Sequence, residues 1–127
     1  MSPTRRILLV DDDPALCEAI VFALETEDYS VRAYDSGEAV LGVEPQPSGD
    51  CVVIDHRLPG MDGLDLLAQL RVRGLCCPAI MITSNPSMRL RRKIAEAGAN
   101  LVEKPLLCDS LVNAIEGLLV PSRDAGL

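Results

Sequence analysis

Apolar residues in this chain fall in short unbroken runs that alternate with longer amphipathic stretches. Ile7-Leu8-Leu9-Val10 does not alternate, which predicts a strand covered on both faces. Asp13-Pro14 then reads as a helix start, with Asp as the cap and Pro at the first helical position. Leu16, Ala19, Ile20, Ala23 and Leu24 follow at helical spacing. Tyr29 to Tyr34 predicts a second strand, and Ser36 caps a second helix carrying Ala39, Val40 and Leu41. Glu44 to Gly49, with Pro45 and Pro47, is a loop.

The same alternation continues to the end. Cys51 to Ile54 is the third strand, and Leu64, Leu67, Ala68 and Leu70 mark a helix that stops at Gly74. Ala79 to Ile82 is the fourth strand. Pro86 opens a helix with a buried stripe of Leu90, Ile94 and Ala97, closed by Gly98. Asn100 to Val102 is a short fifth strand. Leu107, Leu111, Ala114, Ile115 and Leu118 form the last helix, which Pro121 ends before a frayed tail to Leu127. Five β-α units predict an α/β fold: one parallel sheet with helices on both faces. No repeat, low-complexity tract or linker divides the chain. We expect one domain over residues 1–127, with an ordered core over about residues 5–120.

Composition narrows the function. Hydrophobic residues are 48% and aromatics only 2%, so aliphatic side chains build the core and stacking on bases is disfavoured. A net charge of −7 argues against direct nucleic-acid binding. The N-terminus runs straight into a strand with no signal peptide, and no apolar stretch is long enough for a bilayer. A cytoplasmic protein without membrane insertion is expected. The five cysteines have no metal-type spacing and read as small apolar residues in a reducing compartment. The vicinal pair Cys76-Cys77 before Pro78 is where a redox role would have to lie.

The candidate chemistry sits where strands end. Asp55 closes an apolar run and leads into Pro59-Gly60-Met61-Asp62-Gly63, which places its carboxylate at the edge where parallel sheets bind ligands. Asp11 and Asp12 follow the first strand, Thr83 ends the fourth, and Lys104 follows the fifth. An acidic turn with Asp13 as cap explains Asp13 but not two further adjacent carboxylates, which repel each other unless a cation or a solvated turn relieves them, and the cluster alone fits either. A carboxylate is a competent nucleophile toward an activated phosphoryl group. Mg²⁺ takes oxygen ligands and suits Asp12 and Asp55, with Asp11 acting through water. The Thr83 hydroxyl suits a phosphoryl oxygen, although taken alone Thr83 reads better as a β-branched strand residue whose hydroxyl caps the following helix. Lys104 offers a compact positive charge, and its Lys-Pro step provides a turn that aims it.

Val10-Asp11-Asp12-Asp13, Asp55-His56-Arg57-Leu58-Pro59-Gly60-Met61-Asp62-Gly63, Ile82-Thr83-Ser84 and Glu103-Lys104-Pro105 together resemble the receiver domains of two-component response regulators. The match spans nearly the whole chain, in order. It implies a flavodoxin-like (βα)5 three-layer sandwich with strand order 2-1-3-4-5. It implies that Asp55 accepts a phosphoryl group from a phosphohistidine on a kinase or phosphotransfer protein. It also implies that Asp12, Asp55 and the Arg57 backbone carbonyl ligate Mg²⁺, with Asp11 in support, while Thr83 and Lys104 bind phosphoryl oxygens. His56, the single histidine, points away from Asp55 by strand alternation and reads as packing or surface.

Two positions depart from that family. Leu101 stands where receivers carry Tyr or Phe, and an aliphatic side chain does not provide an output switch by ring rotation. Leu106 replaces the common Phe after Lys-Pro. Arg89, Arg92 and Lys93, with Arg91 adjacent, give the fourth helix a basic face. This is a solvated face or a docking or homodimer surface toward the fifth helix, meeting acids such as Glu103, Asp109 or Glu116. The expected function is a single-domain response regulator that switches protein contacts, with no enzymatic activity beyond its own phosphorylation and dephosphorylation. The alternatives are the receiver part of a longer DNA-binding regulator, a Mg²⁺-dependent phosphohydrolase using Asp11 and Asp13, and a receiver-like scaffold that does not signal.

Overall fold

A computed structural model describes residues 4–44, 46–105 and 110–119. Leu106, Leu107, Cys108, Asp109, Pro121 and the tail to Leu127 lie outside the described residues. Five strands and five helices alternate: β1 (Arg6–Val10), α1 (Pro14–Thr26), β2 (Ser30–Tyr34), α2 (Gly37–Leu41), β3 (Cys51–Asp55), α3 (Gly63–Val72), β4 (Ala79–Ser84), α4 (Met88–Glu96), β5 (Ala99–Lys104) and α5 (Ser110–Leu119). All strand pairs are parallel and the order is β2-β1-β3-β4-β5, the flavodoxin-like arrangement.

Strand alternation divides the core in two. Ile7, Leu9, Cys51, Val53, Ile80 and Ile82 face α1 and α5, meeting Ile20, Leu24, Leu111, Val112 and Ile115. Leu8, Val10, Val52, Ile54, Ala79 and Met81 face the other way, against Val40 of α2, Leu66, Leu67 and Leu70 of α3, and Ile94 of α4. Each fully buried aliphatic side chain stabilises the fold by about 1.5–3 kcal/mol. The central strands are buried along both faces, which is why their apolar runs do not alternate with polar residues.

Local start signals mostly act as expected. Asp13 Oδ1 accepts from the Ala15 and Leu16 amides, with Pro14 first in α1. Ser36 Oγ accepts from the Ala39 amide. Gly74 follows α3 with φ of +102°, the left-handed turn that lets the chain leave the helix.

Several expectations need correction. Pro86 does not open α4: Ser87 is the cap, its Oγ accepting from the Leu90 amide at 3.0 Å, and the helix begins at Met88. A serine hydroxyl satisfies an end amide that proline does not reach. Ala97 is exposed at the C-terminal end of α4, so the buried stripe there is Ile94 with half-buried Leu90. β5 runs from Ala99 to Lys104 instead of Asn100 to Val102, because its length follows the ladder to β4, from Ala79↔Ala99 to Ser84↔Lys104. Ala19 and Ala68, although at helical spacing, are also exposed.

Candidate functional site

The sheet register assembles the site. Val10 pairs with Ile54, so Asp11 and Asp55 come next on adjacent strands. Asp55 pairs with Ile82, which places Thr83 one step on, and Ser84 pairs with Lys104. Groups distant in sequence therefore meet at one edge. Asp11, Asp55 and Thr83 are buried, Lys104 is half-buried and Asp12 is exposed.

Asp55 is held at both oxygens. Its Oδ1 accepts from the Arg57 amide at 3.0 Å, and its Oδ2 pairs with Lys104 Nζ at 3.0 Å. The Lys104-Pro105 peptide is cis. Below the site, Gly63 lets the first turn of α3 lie against the end of β3. A Cβ there would sit 2.9 Å from the Asp55 carbonyl oxygen and 2.8 Å from His56 Cα. Gly60, with φ of +83°, turns the loop under the Glu38 carboxylate of α2.

Asp11 is the strained member. Its Oδ1 accepts from the Asp13 amide at 2.8 Å, but its Oδ2 is buried with no hydrogen-bond partner. Burial raises its carboxyl to a pKa of about 6; the Asp13 amide opposes this and the Asp55 charge adds to it. Asp11, Asp12 and Asp55 each bring a carboxylate oxygen within 4.8 Å of the others. An orphaned buried oxygen beside two like charges is the electrostatic signature that a hard divalent cation relieves. The residues present therefore fit Mg²⁺.

The sequence reading did not foresee that both buried carboxylates are clamped by the amide two residues on. The signal was available, because Asp readily accepts from the backbone at i+2. His56 is half-buried and stands outside the carboxylate group, and its Nδ1 is buried without a partner. Leu101 is half-buried and packs in the cluster with Leu90 and Ile94. On α4, Arg91 pairs with Glu103 of β5 at 2.7 Å. Glu103 thus already has a basic partner within the chain. Arg89, Arg92 and Lys93 are exposed. No helix among the described residues is long and apolar enough to cross a membrane.

The family described as response regulator receiver domain matches residues 7–116. The chain is 31% identical over 126 residues to the transcriptional regulatory protein FixJ of Bradyrhizobium diazoefficiens, covering 98% of this chain and 62% of that one. It is 34% identical over 125 residues to the response regulator MprA of Mycolicibacterium vanbaalenii, covering 95% of this chain and 54% of that one. The chain spans roughly half the length of the curated relatives it matches. Among solved structures, a CheY-like response regulator receiver domain protein from Methanospirillum hungatei superposes with a TM-score of 0.87 at 27% identity, covering 98% of this chain and 100% of that one.

Proposed function

The chain belongs to the response regulator receiver family, and on that premise we propose that Asp55 is its phosphoacceptor in two-component signalling. The observation that carries this is the placement of the Asp55 carboxylate between the Lys104 ammonium and the Asp11–Asp12 pair. The donor is a phosphohistidine on a histidine kinase or phosphotransfer protein. An Asp55 carboxylate oxygen attacks phosphorus as the phosphorus–nitrogen bond of the donor breaks, and the imidazole leaves. Asp12, Asp55 and the Arg57 carbonyl, with Asp11 through water, would hold Mg²⁺. When bound, that ion supplies positive charge against the phosphoryl oxygens.

Lys104 then exchanges a carboxylate oxygen for a phosphoryl oxygen, and the Thr83 hydroxyl donates to another. Asp13 is committed to capping α1, which disfavours an Asp11–Asp13 phosphohydrolase pair. The chemistry expected is self-phosphorylation and dephosphorylation only, in the cytoplasm. Output runs through protein contact, with the basic face of α4 as docking or homodimer surface toward α5. Leu101 packs as an aliphatic residue, so an output device there works without ring rotation.

A second reading is favoured by the relatives' greater length: this receiver would be the input part of a longer regulator. The test of the phosphoacceptor is direct. Incubation with Mg²⁺ and acetyl phosphate or phosphoramidate should add one phosphoryl group by intact mass. Asp55→Asn and a chelator should each abolish it. Full phosphorylation of Asp55→Asn would move the acceptor elsewhere.

A further inference from the structure

Three cysteines lie at the end of the sheet opposite the carboxylates, where β3 and β4 begin, with Cys51 packed in the core on one face and Cys77 against the core on the other. Cys51 opens β3, and Cys76-Cys77-Pro78 leads into β4. The Pro78 carbonyl accepts from the Val52 amide at 3.0 Å, which fixes this approach against β3. The other end of the segment is fixed by α3. The Leu75 amide donates to the Leu70 carbonyl at 3.0 Å, and Arg71 Nη1 donates to the carbonyls of Leu75 at 3.0 Å and Cys77 at 2.6 Å. The vicinal thiols thus sit on a braced segment, which lowers the ordering cost of any ligand they share. They line a cavity of about 440 Å³ together with Gln46, Asp50 and Arg73.

We propose that Cys76 and Cys77 form a dithiol site for a soft trivalent centre of the arsenous acid type. Nothing in the phosphotransfer site uses these residues, so the site stands or falls independently of it. Soft thiols select soft centres over hard cations. Structural zinc needs four ligands, and among the described residues the only gathering of three or more His, Cys, Asp or Glu ligand atoms is the carboxylate group at the far edge. A centre satisfied by two thiolates fits the donors present. Cys76 is exposed and gives entry, while half-buried Cys77 forms the inner donor. Cys51 is buried, and burial with a smaller push from Cys77 holds its thiol up at about 12; burial also raises the Cys77 thiol, so exposed Cys76 is the donor that reacts first and Cys77 closes the chelate.

The exchange balances without an oxidant. Arsenous acid loses two hydroxyls, each leaving as water with a thiol proton, and two arsenic–sulfur bonds form while arsenic stays trivalent. One hydroxyl remains on arsenic as a hydrogen-bond donor. Gln46 has its Nε2 donating to the carbonyls of Val40, Leu41 and Val43, whereas its Oε1 is buried with no donor.

Reduced protein incubated with sodium arsenite and excess glutathione should show one arsenic per chain by intact mass. A small dithiol should remove it. Two linked thiols gain on the order of 100-fold or more over one, so Cys76→Ser or Cys77→Ser should each weaken binding by at least about that factor. Cys51→Ala and Cys17→Ser, confirmed folded by their melting curves, should bind as the unaltered protein does. Absence of an adduct on the unaltered protein, undiminished binding by Cys76→Ser, or loss of binding in folded Cys51→Ala would each overturn the proposal.

Discussion

Lys104 Nζ lies 3.0 Å from Asp55 Oδ2, joining residues 49 apart in sequence across the ends of β3 and β5. Asp55 is buried and Lys104 half-buried, so the pair keeps a carboxylate supported in a place where water does little for it. Removal of the ammonium by Lys104→Met should therefore destabilise the metal-free protein by about 1–3 kcal/mol at neutral pH. Saturating Mg²⁺ should narrow the loss, since a second cation can take over the charge. Urea melts with chelator and with Mg²⁺ measure both values, and an equal loss in each would exclude this coupling.

Asp11 predicts the opposite sign. Its folded pKa of about 6 lies above the ordinary 3.8, so the folded state holds a proton that the unfolded chain releases. Its contribution to stability is complete below about 4 and is lost as pH rises to about 6. Asp11→Asn keeps an oxygen for the Asp13 amide and removes the charge. It should stabilise the metal-free protein at pH 8 by about 1–3 kcal/mol, and the advantage should shrink at pH 4. Melting temperatures across that range, without metal, test the sign. An advantage that grows on acidification would contradict it.

Gly63 predicts steric intolerance at the foot of the site. A Cβ there would lie 2.6 Å from Met81 Sδ, 2.8 Å from His56 Cα and 2.9 Å from the Asp55 carbonyl oxygen. Methionine yields, but the two backbone atoms do not. Gly63→Ala should cost about 2 kcal/mol or more and lower the rate of Asp55 phosphorylation by moving β3 against α3. Chemical denaturation and acetyl phosphate labelling report the two effects. Wild-type behaviour in both would mean that the contact relaxes freely.

Arg91 and Glu103 predict a small number. Their side chains are 45% and 46% exposed, so water screens the 2.7 Å pair. Arg91→Ala should change stability by less than about 0.5 kcal/mol. If α4 is a homodimer surface, Arg89→Glu with Arg92→Glu should weaken self-association of the beryllofluoride-treated protein while the monomer's melt is hardly moved. Light scattering showing one unchanged mass in every state would remove that role from α4.

Some features were legible residue by residue. The runs of β1, β3 and β4 announced strands covered on both faces because no polar residue interrupts them. Asp13, Ser36 and Gly74 marked helix ends because their chemistry acts within three or four residues. Asp11, Asp12, Asp55, Thr83 and Lys104 were singled out by falling where strands stop, and the structure brings all five to one edge. Ser87 in place of Pro86 was missed because two start signals stood side by side and only the folded backbone chose between them.

The sequence by itself determined which segments become strands and helices, which of their faces are apolar, and which chemical groups stand at strand ends. Those properties depend on side-chain periodicity and capping over a few residues. Only the tertiary structure decided that β5 extends to Lys104, that Glu103 is matched by Arg91, that Asp11 Oδ2 is left without a donor, and that a braced thiol pair shares a cavity with Gln46. Each of these depends on distances between segments far apart in the chain. Ladder register and helix packing set such distances, and no local pattern encodes them.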